Sequence, residues 1–185
     1  MRGMMFVAFV DWMERRFGED IADGVLCATP TATGGAYTNV GQYEYQELLA
    51  LVTTLSGTVG QPASALCEDF GQFLLPVLAE KHQSFMDLSS GLRGFLQGLD
   101  SHIHKEVLRL YPNSLPPKVR VQDRASEDPQ DPSIALHYES HRPMADLALG
   151  LLLGSIKYFK ADATVTREDD LSRADFAHFR IHLRS

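Results

Sequence analysis

Cysteine is scarce in this chain. Among 185 residues only Cys27 and Cys67 occur, in separate apolar contexts and without a CxxC spacing. A structural zinc site needs more sulfur ligands than this. The two are expected to be buried free thiols of a reducing compartment, which points to the cytoplasm. Basic residues are also few: 17 Lys and Arg stand against 24 Asp and Glu, a formal charge of -7. The basic clusters, such as Arg15-Arg16, are short and sit among acids. A nucleic-acid surface needs a basic stripe, so that class of partner is excluded. Long apolar runs are missing as well. Nothing approaches the roughly 18 consecutive apolar residues that mark a membrane span, so no membrane insertion is expected. The N-terminal run from Met4 to Val10 leads into Asp11, Glu14, Arg15 and Arg16, and no small-residue cleavage site follows. It reads as a helix of the mature protein rather than a signal peptide. No internal repeat and no low-complexity segment is present.

What is there suits one domain with a core of its own: 44% of residues are hydrophobic and 22% charged. The first half reads helical. Met5, Phe9, Trp12, Met13 and Phe17 follow a helical stripe, and Gly18 supplies a stop. A short helix is expected over Ile21 to Cys27, then a loop through TPTATGGAYTN. Further helices are expected over Tyr43 to Leu55, broken by Gly57 and Gly60, and over Ala63 to Ala79. Pro76 should kink or break the latter, since proline in a helix interior costs about 3 kcal/mol. One long helix or two joined ones should run from Leu88 to Leu110. After Pro117 the period changes to two. KVRVQ and SIALHYES read as a hairpin, Met144 to Phe159 as an apolar helix, and DATVT and FAHFRIHLR as two more strands. In the last strand Ala177, Phe179, Ile181 and Leu183 share the side that can face a core. The class is α+β: a helical N-terminal half and a C-terminal half with a four-stranded antiparallel sheet and helices.

Seven histidines are present. Two of them, His102 and His104, lie in LDSHIHKEVLRLYP on an expected helix. His102 shares its face with Glu106 and Arg109. His104 has Val107, Leu108 and Tyr111 on its C-terminal side, and Asp100 one turn earlier to fix its tautomer. His104 is the inward candidate. A half-buried histidine bonded to Asp100 or to a carbonyl fits the same pattern.

Downstream, IALHYESHRPMADLALGLLLG places Tyr138, Ser140 and Arg142 at alternate positions where a strand gives way to an apolar helix. Two hydroxyls and a guanidinium fork suit two carboxylates at the edge of an apolar cavity. Haem has that form, with two propionates on one edge, and His104 would then be its axial ligand. The trio also suits a strand-end cluster paired with local acids such as Glu139 or Asp146.

With LDSHIHKEVLRLYP, LPPKV, the Tyr138-Ser140-Arg142 trio and GLLLGSIKYF on one chain, the sequence resembles the haem-nitric oxide/oxygen binding (H-NOX) family. That family includes bacterial gas sensors and the haem domain of soluble guanylate cyclase. The resemblance runs from MRGMMF to FRIHLR. It implies a single domain over residues 1–185, with a distal helical part over 1–60, a proximal part with the sheet over 61–185, and haem b (ferrous iron protoporphyrin IX) between them. It implies that His104 ligates the iron and that Tyr138, Ser140 and Arg142 hold the propionates. It further implies that Pro117 presses on the macrocycle and that Met5 crowds it. The cysteine-rich zinc site of some members has no counterpart, because no cysteine follows Cys67.

The resemblance implies that oxygen-holding members carry a distal tyrosine five residues after the motif arginine. Here that position is Leu147, and its helper positions are Phe9 and Leu74. None of these can donate the hydrogen bond that bound oxygen requires. The expectation is a sensor for nitric oxide and carbon monoxide that excludes oxygen and is not an enzyme. In the family, the signal leaves when the bond between iron and the proximal histidine breaks. The output would pass to a separate partner, a histidine kinase first and a cyclic-di-GMP enzyme second. The competing classes are a haem-dependent oxygen-binding or redox enzyme, which wants polar distal groups, and a haem-free interaction domain.

Overall fold

The stripe predicted for the N-terminus forms helix α1, Gly3–Phe17, which buries Phe6, Phe9, Trp12 and Met13 and stops at Gly18 with φ 93°. The computed structural model describes residues 1–99, 116–124, 132–169 and 173–184. Helix α2 is Glu19–Ala28, with Glu19 and Asp20 in the first turn, where the helix dipole favours acids. Helix α3 is Tyr45–Val59. It runs through Gly57, against expectation, and ends at Gly60, whose left-handed φ of 68° suits a glycine cap.

Helix α4, Ala63–Lys81, is likewise unbroken at Pro76. The helix is held from both flanks, because Leu74, Leu75 and Ala79 around the proline are all buried. Tertiary burial of this kind outweighs local propensity. The helical stretch expected from Leu88 to Leu110 begins three residues later, at Gly91, and a separate short helix ends at Leu88. Helix α5 is Gln83–Leu88 and helix α6 is Gly91–Gly98, with Ser89 and Ser90 between them and Gly91 at φ 75° opening α6. The rest of that expected helix lies outside the described residues.

The C-terminal part follows the predicted alternation. Strands β1 (Lys118–Asp123), β2 (Ile134–Glu139), β3 (Ala163–Arg167) and β4 (Phe176–Leu183) form one antiparallel sheet in the order β1-β2-β4-β3. Helix α7, Ala145–Tyr158, connects β2 to β3. Tyr138 stands opposite Val119 on one side and Ala177 on the other. Ala177, Phe179 and Ile181 are buried as expected, and Leu183 is half-buried.

Two apolar cores result. One joins α1, α2 and α3 to Phe70 and Leu74 of α4, and takes in Met144 and Leu147. The other joins Leu75 and Ala79 to α6, the inner sheet face and Leu152 of α7. The α4–α7 crossing sets the distance between them. A Cβ on Gly150 would fall 2.1 Å from the Glu68 carbonyl oxygen, and one on Gly71 would fall 2.6 Å from the Leu147 carbonyl oxygen. Only glycine allows backbones to approach so closely. No helix among the described residues is long and apolar enough to cross a membrane.

Cys27 corrects an expectation: it is exposed, not buried. The inward positions of α2 are Ala22 and Val25, and Cys27 falls on the opposite side of the turn. Cys67 is mostly buried. Burial, with the Asp146 charge, pushes its thiol up to about 12.

Candidate functional site

The end of β2 is pinned before it reaches Arg142. The Ser140 N–H donates to the Asp175 carbonyl at 2.8 Å, and the Ala145 N–H donates to the Ala174 carbonyl at 2.8 Å. Within the turn, the Arg142 N–H donates to Ser140 Oγ at 3.1 Å, and the Met144 N–H donates to the Arg142 carbonyl at 2.9 Å. Strand, turn and helix α7 are thus held as one unit by backbone bonds. That frame positions the side chains of the trio, and Ser140 links the other two.

Tyr138 is 6% exposed and points to the inner face of the sheet. Burial raises the pKa of its phenol, opposed by a hydrogen bond with Ser140 and by the Arg142 charge. Arg142 is half-buried, and burial lowers its pKa. Its Nε is buried without a hydrogen-bond partner among the described residues. Such an orphan is costly, and native structures seldom keep one unless a ligand completes it.

The local acids do not complete it. Asp146 is bonded to the Arg167 guanidinium at 3.0 Å, and Glu139 lies 4.0 Å from Lys118 Nζ. The strand-end cluster with Glu139 or Asp146 is therefore not what forms. Arg142 instead has Tyr138, Tyr45 and Glu44 within electrostatic range, the last two at the start of α3. Those two were not legible in the sequence, which separates them from Arg142 by about half the length of the chain. A half-buried guanidinium whose Nε has no partner among the described residues, beside two hydroxyls, fits a ligand that brings carboxylates.

The apolar positions meet in the other core. Phe9 and Leu74 are fully buried and Leu147 is 7% exposed, all in one cluster, with Met5 packed against it. Phe9 sits edge-on to Phe70, with ring centroids 5.1 Å apart. Phe9 comes from α1, Leu74 from α4 and Leu147 from the first turn of α7, so the turn that carries Arg142 also delivers Leu147. Pro117 is half-buried immediately before β1. His104, with its neighbours Asp100 and His102, lies outside the described residues. Among the described residues no group of three His, Cys, Asp or Glu side chains could hold a metal ion.

A helical subassembly and a four-stranded sheet, joined at a turn with an unpaired cation, make this an α+β domain suited to a flat apolar cofactor with acidic edges. The chain belongs to the Haem-NO-binding family, whose model matches residues 2–167. It is similar to an H-NOX protein from Shewanella woodyi, bound to IWP-051 in the Fe(II)CO state: 35% identical, TM-score 0.82, covering 100% of this chain and 95% of that one. It is also similar to the S. oneidensis H-NOX protein in the Fe(II)NO state, at 25% identity and TM-score 0.88, with both chains fully covered. The unliganded Fe(II) H-NOX protein from K. algicida shares the fold, with TM-score 0.90 and 24% identity over all of this chain and 97% of that one. A soluble guanylate cyclase of Caenorhabditis elegans, gcy-35, is 25% identical over 144 residues. That match covers 77% of this chain, and the chain spans about a fifth of that relative's length.

Proposed function

We propose that this chain is a haem-based sensor that takes nitric oxide and carbon monoxide at ferrous haem b, excludes oxygen, and reports to a separate partner protein. The observation that carries the reading is the apolar wall: Phe9, Leu74 and Leu147 are buried together and none carries a hydrogen-bond donor. Haem, when bound, would supply ferrous iron able to take a diatomic gas. The chain's own residues decide whether the macrocycle is held and which gas stays.

Arg142, Tyr138 and Ser140 hold the propionates, and the guanidinium contributes most because its burial leaves a charge to be neutralised. His104 supplies the protein's ligand to the iron. Pro117 and Met5 crowd the ring. The cofactor lies between a distal part over 1–60 and a proximal part over 61–185. Holding oxygen at a haem here would call for a hydrogen-bond donor from the protein. Phe9, Leu74 and Leu147 offer none and keep water out. The signal leaves through the segment that carries His104, in a cytoplasmic setting, toward a histidine kinase or, second, a cyclic-di-GMP enzyme.

The deciding measurement is the absorption spectrum of the reduced, haem-loaded chain under nitrogen, nitric oxide and air. The reading expects a clear change with nitric oxide and none with air beyond slow oxidation. A stable oxygen complex in air would overturn it.

A further inference from the structure

The outer face of the sheet carries charge that the proposed function does not use. Register places Arg120, His137 and His178 side by side across β1, β2 and β4. The row below runs Lys118, Glu139, Phe176. These six residues line an open groove of about 460 Å³. The His137 and His178 rings meet edge-to-face at 4.2 Å, and the Phe176 ring lies 4.6 Å from that of His178.

Among the described residues that line the groove, Lys118 and Arg120 face a single acid, Glu139. Lys118 and Glu139 approach only to 4.0 Å and both are largely exposed, so their pairing is weak. Arg120 makes no ion pair among the described residues. Arg124 adds to the positive field around His137. Arg180, diagonal to His137, is held by Glu168 at the margin. A chain of net charge -7 thus gathers cations and imidazoles on one open face.

We propose that this groove docks an acidic segment of a partner protein, with aspartate or glutamate carboxylates on Arg120 and Lys118 and apolar side chains against Phe176 and His178. The volume is far larger than a single inorganic anion fills, and the floor is aromatic rather than a cage of donors. Charge complementarity with Lys118 and Arg120 also steers such a segment here.

His137 makes docking proton-linked. Its charged form is disfavoured first by burial, then by His178, Arg124 and Arg120. The groups facing it are Arg120, Lys118 and Gln122 from β1, Arg124 beyond it, and His178, Phe176 and Arg180 from β4. Ala135 and Glu139 flank it on its own strand. A docked carboxylate offsets those cations and favours protonation, so docking tightens as pH falls through the imidazole range.

The test is fluorescence anisotropy of a labelled oligoglutamate peptide with the haem-loaded chain, alongside ring resonances of His137. Binding should be salt-sensitive and on the order of tenfold tighter at about pH 6 than at about pH 8. The His137 titration should move upward with peptide present. Arg120→Glu should abolish binding, Arg120→Lys should retain most of it, and Arg15→Glu, an equal charge change on exposed α1, should leave it intact. Absence of binding at low salt would overturn the proposal. So would equal loss in Arg15→Glu, equal competition by inorganic phosphate, or self-association of the chain through this face. The peptide result does not depend on which gas the haem binds, so a chain that docks peptide yet holds oxygen would sink the sensor reading alone.

Discussion

Arg167, at the end of β3, bonds Asp146 in the first turn of α7 at 3.0 Å, across a sequence separation of 21. The same guanidinium bonds Asp169 at 2.9 Å and the Arg173 carbonyl at 2.9 Å. Arg167 and Asp169 are 9% and 6% exposed, so this is a buried pair. It ties sheet to helix beside the turn that carries Arg142, and it removes Asp146 as a partner for that arginine.

Replacing Arg167 with Ala should cost roughly 3 kcal/mol, because it strands the buried Asp169 carboxylate. Urea denaturation measures it. Acid should act on the same cluster. Burial alone would raise the Asp169 pKa, but the hydrogen bonds from Arg167 and the His178 N–H outweigh it and hold the carboxyl low. A depressed folded pKa gives stability that is present above the unfolded value and lost as pH falls below it. Stability should therefore drop below about pH 4 and drop less in Asp169→Asn, which starts lower.

Arg142→Ala should release haem to a scavenger protein about tenfold faster or more, the scale of lost charge-assisted bonds. Arg142→Lys should rescue only part, because the fork is lost. An unchanged release rate would reduce the trio to local structure. The companion variant, His104→Gly, should keep its iron coordination only when free imidazole is supplied.

Leu147→Tyr places a hydroxyl in the wall formed with Phe9 and Leu74. The expected outcome is an oxygen complex stable enough to record in air, with oxygen leaving about tenfold more slowly than from the parent. If the variant still rejects oxygen, the wall is not what excludes it.

The two thiols should separate cleanly. At mildly alkaline pH a thiol reagent should modify exposed Cys27 and spare Cys67, whose pKa of about 12 leaves almost no thiolate. Cys67 should react only after denaturation, as read by mass spectrometry.

Much of this architecture could be read from periodicity. The α1 stripe, the alternation in β1, β2 and β4, and the change of period after Pro117 are each local patterns. The failures share a cause. Gly57 and Pro76 signal breaks locally, yet Pro76 sits between buried Leu74, Leu75 and Ala79, and exposed Gly57 continues a helix anchored by buried Leu51, Val52 and Leu55. Cys27 looks apolar in sequence but sits on the wrong side of a turn. The trio was visible because it is contiguous. That Arg142 lacks an acid was not visible, since it depends on Arg167 claiming Asp146 from another element.

Adjacent residues Leu74 and Leu75 belong to different cores, and so do Leu147 and Leu152 one helix over. The two halves therefore have no spare surface along which to come apart. Loosening one strips the lining from the other, and heating should melt both together in a single calorimetric peak.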